Sequence, residues 1–106
     1  MKFYNINNPN EKVSFRQAVL QGAGSNNGLY FPLEIKKKPG NFFNRIDDYS
    51  FADMAAEVLY GFVEDDFTWQ ELKDICTRAF NFPIPIVKVN EHIYSLELFH
   101  GPSLAF

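Results

Sequence analysis

The feature that most constrains the fold is an amphipathic stretch that follows Ser50. Its apolar residues recur at a spacing that places all of them on one face of a helix. They are Phe51, Met54, Ala55, Val58, Leu59 and Phe62. Ser50 is a favourable N-cap, and Asp53 in the first turn suits the positive end of the helix dipole. We therefore predict a core helix that buries this six-residue face.

A second helix is predicted to begin at Thr68, because Glu71 three residues later completes a capping box. Its predicted buried face consists of Trp69, Leu72, Ile75, Cys76, Ala79 and Phe80. The acidic residues 64–66 lie just before the positive end of this helix, which explains them better than a metal site does. Cys76 is expected to be an inert, small apolar residue of the core.

The amino-terminal part predicts two short strands with a helix between them. Residues 3–5 are typical of a strand, and the turn formers at 7–10 are expected to end it. Ser14 and Gln17 can form a capping box, and Gly22 is placed to close the helix that they begin. Residues 29–31 predict the second strand, which Pro32 terminates.

The glycine-rich loop at residues 22–28 has some features of a phosphate-binding loop. A dinucleotide-binding loop follows a strand and opens a helix, whereas this loop follows a helix and precedes a strand. The glycine spacing also fails at Asn27. We therefore predict a turn that needs positive φ at several positions.

The carboxyl-terminal part predicts a β-hairpin. Residues 86–89 and 93–99 alternate on either side of a turn at 90–92. The expected buried face consists of Ile86, Val87, Tyr94, Leu96 and Leu98. With the earlier elements, this indicates an α+β fold with three main helices and a small, partly antiparallel sheet. The 106 residues suit one small domain, which we place at 1–106.

Composition and charge argue against several classes of function. A net charge of −3 disfavours nucleic acid as a partner. A single cysteine cannot form an internal disulfide, and with two distant histidines it does not make a zinc site. No apolar run reaches the roughly 20 residues of a membrane span, and the amino terminus lacks a signal peptide. We therefore expect a cytoplasmic protein without a membrane, metal or nucleic-acid partner.

His100 and Ser103 form a Ser-His pair that is a candidate for nucleophilic catalysis. They are separated by a Gly-Pro turn, but nearby residues supply no third member to orient the imidazole and no oxyanion hole. The spacing alone therefore does not indicate a hydrolase.

The final stretch turns at Gly101 and Pro102 and ends among apolar residues. Chain ends of finished domains are usually solvated and polar, so we expect this chain to be part of a longer protein. The alternative is a free-standing interaction module whose apolar carboxyl-terminal tail docks to a partner.

The same stretch carries a family resemblance. Residues 97–106, Glu-Leu-Phe-His-Gly-Pro-Ser-Leu-Ala-Phe, resemble a motif of the threonine synthases that continues into Lys-Asp. Residues 21–22 and 28–32 are similar to a second family segment, Gln-Gly followed by Gly-Leu-Phe/Tyr-x-Pro. Residues 2–5 and 80–85 extend the resemblance over nearly the whole chain. One departure is Ser103, where the family more usually has threonine.

The resemblance implies that the parent is a fold-type II enzyme that uses pyridoxal phosphate (PLP). It implies conversion of O-phospho-L-homoserine and water into L-threonine and phosphate. In this family the lysine after the motif forms a Schiff base with PLP, and the chain stops at Phe106, directly before that position. By itself, the chain is therefore expected to bind no PLP and to catalyse nothing.

The resemblance also implies two groups of site residues in the parent enzyme. The expected active-site shell consists of His100, Gly101, Pro102 and Ser103. The expected active-site mouth consists of Gly28, Leu29 and Tyr30.

Overall fold

Four α-helices and two small antiparallel sheets make up the fold of residues 1–103. In a computed structural model, which describes residues 1–103, the strands and helices follow in this order: β1 (Lys2–Asn5), β2 (Asn8–Ser14), α1 (Phe15–Gln21), β3 (Tyr30–Pro32), α2 (Gly40–Asn44), α3 (Phe51–Val63), α4 (Trp69–Ala79), β4 (Ile86–Lys88) and β5 (Tyr94–Leu96). The predicted α+β class is confirmed, and the five-residue helix α2 is an addition to the three predicted helices.

The first sheet has the order β2-β1-β3, and both of its pairs are antiparallel. A turn does end β1, but it lies at residues 6–7 and not at 7–10, because β2 already begins at Asn8. β2 tolerates Pro9 because it is an edge strand, where a missing backbone N–H leaves no gap in the sheet. Its register jumps from Lys12 to Asn8, so residues 9–11 have no opposite residue in β1.

The core lies between α3 and α4. Its buried members are Ala56, Val63, Leu72 and Cys76. Both helices begin as predicted: Ser50 accepts a hydrogen bond from the amide of Asp53, and Thr68 forms a capping box with Glu71. Local cap chemistry therefore sets where each helix begins, and side-chain packing joins them.

Aromatic rings connect this helix pair to the first sheet. Phe15, the first residue of α1, lies 5.8 Å from Phe3 of β1 and 6.3 Å from Phe67, measured between ring centroids. The Phe15–Phe67 contact is edge-to-face, an arrangement that adds to the stability gained from burial. α1 thus connects the sheet to the α3–α4 pair.

The predicted buried face of α3 is only partly correct, because Ala55 and Phe62 of that face pack against the core. The fully buried residue is Ala56, whereas Phe51, Val58 and Leu59 are exposed by 44%, 42% and 38%. Ala56 and Val63 of α3 form the core with Leu72 and Cys76 of α4, and Ala55 and Phe62 pack against it. The exposed residues of the predicted face lie further around α3.

The carboxyl-terminal hairpin is present, but its predicted buried face is not buried. Ile86 pairs with Leu96, Val87 with Ser95 and Lys88 with Tyr94. All six of these residues are exposed.

No helix within residues 1–103 has both the length and the apolar character needed to cross a membrane.

Candidate functional site

A buried asparagine organises the polar region beneath the glycine-rich loop. Asn5, in β1, has no exposed surface. Its side-chain NH₂ group donates to the Glu11 carboxylate at 2.8 Å and to the backbone carbonyl of Ser25 at 2.8 Å. Its side-chain oxygen accepts from the amide of Asn7 at 2.9 Å. A buried amide needs such partners, so Asn5 fixes the loop against the sheet.

Two glycines of the loop are required because they lie against Asn5. A Cβ atom at Gly28 would lie 1.7 Å from the Asn5 side-chain oxygen, and one at Gly24 would lie 2.4 Å from its nitrogen. Neither glycine has a positive φ. Positive φ occurs instead at Gly22, Asn26 and Asn27. The predicted positive-φ turn is therefore present, but Gly24 and Gly28 serve a steric purpose.

Glu11 is the charged centre of this polar cluster. Its carboxylate accepts from the amide of Ser25 at 3.1 Å, from the Ser25 hydroxyl, from the Tyr30 hydroxyl at 2.6 Å and from Asn5. Hydrogen bonds to the charged form favour ionisation. The bonds from the Ser25 hydroxyl, Tyr30 and Asn5 accordingly lower the pKa of Glu11 to about 2. The hydrogen bond to Glu11 raises the pKa of the Tyr30 hydroxyl.

The loop amides are directed at acceptors within the protein. Gly22 donates to Ala18, Ala23 to Gln21, Gly24 to Gly28 and Gly28 to Ser25, in each case to a backbone carbonyl. The amide of Ser25 donates to Glu11. A phosphate-binding loop would instead direct successive amides at an external anion. The geometry therefore agrees with the assignment of this loop as a turn.

The three residues predicted for the active-site mouth lie together on this loop and the strand that follows it. Gly28 is buried against Asn5, and Tyr30 is half-buried in β3, where its hydroxyl also lies 2.6 Å from the side-chain oxygen of Gln21. Leu29 is exposed by 57%.

The second predicted group lies in a bend after the hairpin. The Nε2 atom of His100 lies 2.7 Å from the Glu97 carboxylate, and its ring lies 4.6 Å from that of Phe99. A carboxylate can only accept, so the proton of this bond lies on Nε2, which leaves Nδ1 as the acceptor of the neutral imidazole. Gly101, Pro102 and Ser103 form the bend itself, and Ser103 is exposed. The apolar tail, residues 104–106, lies outside the described residues.

The residues predicted for the active-site mouth and for the active-site shell have different hydrogen-bond partners and adjoin different sheets. Tyr30 contacts Glu11 and Gln21 beside the first sheet, whereas His100 contacts Glu97 beyond the hairpin. Within residues 1–103, no cluster of three or more histidine, cysteine or acidic side chains is arranged to hold a metal ion.

The polar cluster around Asn5 and the contact between Glu97 and His100 were not predicted from the sequence. The period of a strand gave a signal for the first, since Phe3 and Asn5 lie on the same face of β1 and both are buried. A polar residue on a buried face indicates a hydrogen-bond network. Glu97 and His100 are three residues apart in irregular backbone, where spacing does not predict a contact as it does in a helix, so their spacing was no signal for the second.

The sequence matches a known protein family. A family model described as the threonine synthase N terminus matches residues 2–80. The sequence is therefore of the class that forms the amino-terminal region of a larger enzyme. The chain belongs to the threonine synthase family.

Similar proteins include threonine synthases of Escherichia coli and Serratia marcescens. These are 40% and 39% identical to the chain over all of its 106 residues. The chain spans only 25% of the length of each of these relatives. A free-standing interaction module, the alternative given by the sequence, has no support from these comparisons.

Two solved structures match the fold. The crystal structure of threonine synthase from Escherichia coli matches with a TM-score of 0.89 and 38% identity, covering 96% of this chain and 24% of that one. A PLP-bound threonine synthase from Brucella melitensis matches with a TM-score of 0.85 and 26% identity, covering 98% of this chain and 24% of that one.

Proposed function

We propose that this chain is the amino-terminal region of a PLP-dependent threonine synthase. The observation that carries this proposal is the 40% identity to the Escherichia coli enzyme over all 106 residues. In this proposal residues 1–106 form the amino-terminal domain, and a catalytic domain follows them. The complete protein converts O-phospho-L-homoserine and water into L-threonine and phosphate in the cytoplasm.

The bend at residues 100–103 is the part of this chain that we place beside the reaction. The motif resemblance supports this placement, because it puts the cofactor-bearing lysine directly after Phe106. When bound, PLP supplies an electron sink for the reacting bonds. Because the lysine of the motif would follow Phe106, residues 100–103 are neighbours of the cofactor in this proposal and do not attach it.

Each residue of the bend has a proposed task. Glu97 orients His100 through Nε2, so Nδ1 can accept a hydrogen bond from substrate or backbone. Gly101 allows close approach of the backbone, and Pro102 restricts φ and stiffens the turn. The exposed Ser103 directs its hydroxyl toward cofactor or substrate. The entrance of the active site is bordered by Gly28, Leu29 and Tyr30. The hydrogen bonds of Asn5 and Glu11 hold these residues in place.

The experiment that tests this function uses the protein made from the complete reading frame. Threonine formation and phosphate release are measured with O-phospho-L-homoserine and PLP, and the 106-residue chain is the negative control. A complete protein that binds PLP but forms no threonine would contradict the proposed reaction.

Substitution of Ser103 tests the assigned site within the same assay. We expect Ser103→Ala to lower kcat and kcat/KM together by about ten- to a hundredfold, because losing a donor used in the transition state costs about 1–3 kcal/mol. Ser103→Thr, which restores the usual residue of the family, should retain most of the activity. Lower thermal stability of Ser103→Ala with unchanged kcat/KM would limit Ser103 to a structural role.

A further inference from the structure

The hairpin presents an apolar face that residues 1–103 leave uncovered. Ile86 and Leu96 lie opposite each other in the register and are exposed by 69% and 54%. This face continues into a groove of about 510 Å³. The hairpin groove, as we call it, is lined by Phe51, Phe82, Ile84, Ile86, Leu96 and Leu98. An open apolar surface of this kind marks an interaction site.

Within residues 1–103, neither outer edge of the hairpin pairs with another strand. Val89 donates to Ile93 and Glu97 donates to Pro85 across the pair. Along an antiparallel ladder the amides of every second residue point away from the partner strand, and Ile86 and Leu96 are among these residues. Within the described residues this sheet has only two strands. A two-stranded hairpin is marginally stable by itself in water, so this one needs a covering partner.

The dimensions of the chain agree with a missing partner. Its radius of gyration is 16.7 Å, whereas a compact domain of this length has about 13 Å. Its accessible surface is 7933 Å², whereas a compact monomer of this mass exposes roughly 6,100 Å². The difference between these two surface areas exceeds the roughly 800 Å² that each partner buries in a standard interface.

We propose that the hairpin groove is the docking surface for the polypeptide that follows residue 106 in the complete protein. This inference rests on the proposed function. The matched relatives are about four times as long as this chain, and the family model for the amino terminus ends at residue 80, before the hairpin begins. A tethered segment has an effective concentration in the millimolar range, so it outcompetes a second copy for the groove.

Hydrogen exchange of the hairpin amides tests this docking without a substitution. The hydrogen-bonded amides of Val89 and Glu97 are compared between the 106-residue chain and the complete protein. We expect exchange at least about tenfold slower in the complete protein, because docking suppresses local opening of the hairpin. Equal exchange rates in the two proteins would overturn the proposal.

A matched pair of leucine substitutions locates the surface. Leu96→Asp places a charge in the groove, whereas Leu20→Asp changes a leucine of α1 that is exposed by 77%. In the complete protein Leu96→Asp should lower the melting temperature and restore fast hairpin exchange, and Leu20→Asp should do neither. In the 106-residue chain both variants should melt like the parent chain. Equal effects of the two variants in the complete protein would overturn the proposal.

A second copy as the occupant gives a different result. Sedimentation would then show dimers of the 106-residue chain that Leu96→Asp dissociates, and protection of the hairpin would rise with protein concentration, which would also overturn the proposal. Neither readout uses substrate. Hairpin protection in a complete protein that forms no threonine would therefore contradict the proposed function alone.

Discussion

The contact between Gly28 and Asn5 makes the substitution Gly28→Ala a sharp test of the loop architecture. The backbone of Gly28 has φ −76° and ψ 140°, a conformation that any residue adopts, so the substitution introduces no backbone strain. The added Cβ would lie 1.7 Å from the Asn5 side-chain oxygen, which is half the 3.4 Å at which ordinary contact begins. Either the loop or the Asn5 side chain must move.

The expected loss follows from the bonds that such a movement breaks. Asn5 is fully buried and binds Glu11, Ser25 and Asn7 at 2.8–2.9 Å. A neutral hydrogen bond contributes about 1 kcal/mol, and one to a charged group about 1.5–3 kcal/mol. Losing part of this set should cost about 2–4 kcal/mol, which lowers the urea midpoint of unfolding by roughly 1–3 M. Circular dichroism of the 106-residue chain measures this midpoint.

Two control variants test whether the contact with Asn5 causes this loss of stability. Gly40→Ala adds a methyl group at the first residue of α2, where a Cβ meets nothing within 4 Å, so its midpoint should stay the same or rise slightly. Asn5→Ala removes the group that Gly28→Ala strikes, so Gly28→Ala should cost much less in that background. Equal midpoints for Gly28→Ala and Gly40→Ala, or additive effects with Asn5→Ala, would refute the steric explanation.

Two further predictions concern charge and packing. Because the pKa of Glu11 is lowered from 4.5 to about 2, its stabilising contribution is complete above pH 4.5 and is lost as the pH falls toward 2. The difference in urea midpoint between the parent chain and Glu11→Gln should therefore narrow over that range, and a difference that stays constant with pH would contradict this. Ala56→Leu overfills the α3–α4 contact and should cost about 1–3 kcal/mol. Val58→Ala, at a position exposed by 42%, should lower the urea midpoint much less, and the reverse order would contradict the observed orientation of α3.

The starts of α1, α3 and α4 were predictable because each is set by a cap whose groups are close together in sequence. Ser14 with Gln17 and Thr68 with Glu71 form capping boxes over three residues, and both boxes are present. Each serine or threonine satisfies an amide that the first helical turn leaves without a backbone partner. No distant residue is needed, so the sequence pattern alone was sufficient.

The polar cluster was not predictable in the same way, because its bonds connect distant parts of the chain. Asn5 and Ser25 are separated by 20 residues, and Glu11 and Tyr30 by 19. Glu11 reaches Asn5 from the segment of β2 that has no opposite residue in β1. A register jump of that kind leaves no mark in the hydrophobic pattern. Pro9 and the neighbouring asparagines instead indicated a turn.

The apolar face of the hairpin and part of that of α3 were predicted to be buried, and here they are exposed. A hydrophobic pattern reports the burial that a segment has in its complete protein, whichever part of that protein supplies the cover. Phe51 of α3 lines the hairpin groove together with Ile86 and Leu96, so the exposed start of α3 and the hairpin meet at one surface. A single partner in the groove would cover Phe51 and the hairpin together. In the complete protein, we therefore expect Phe51 to be shielded along with the hairpin, and Phe51→Asp to lower the melting temperature as Leu96→Asp does.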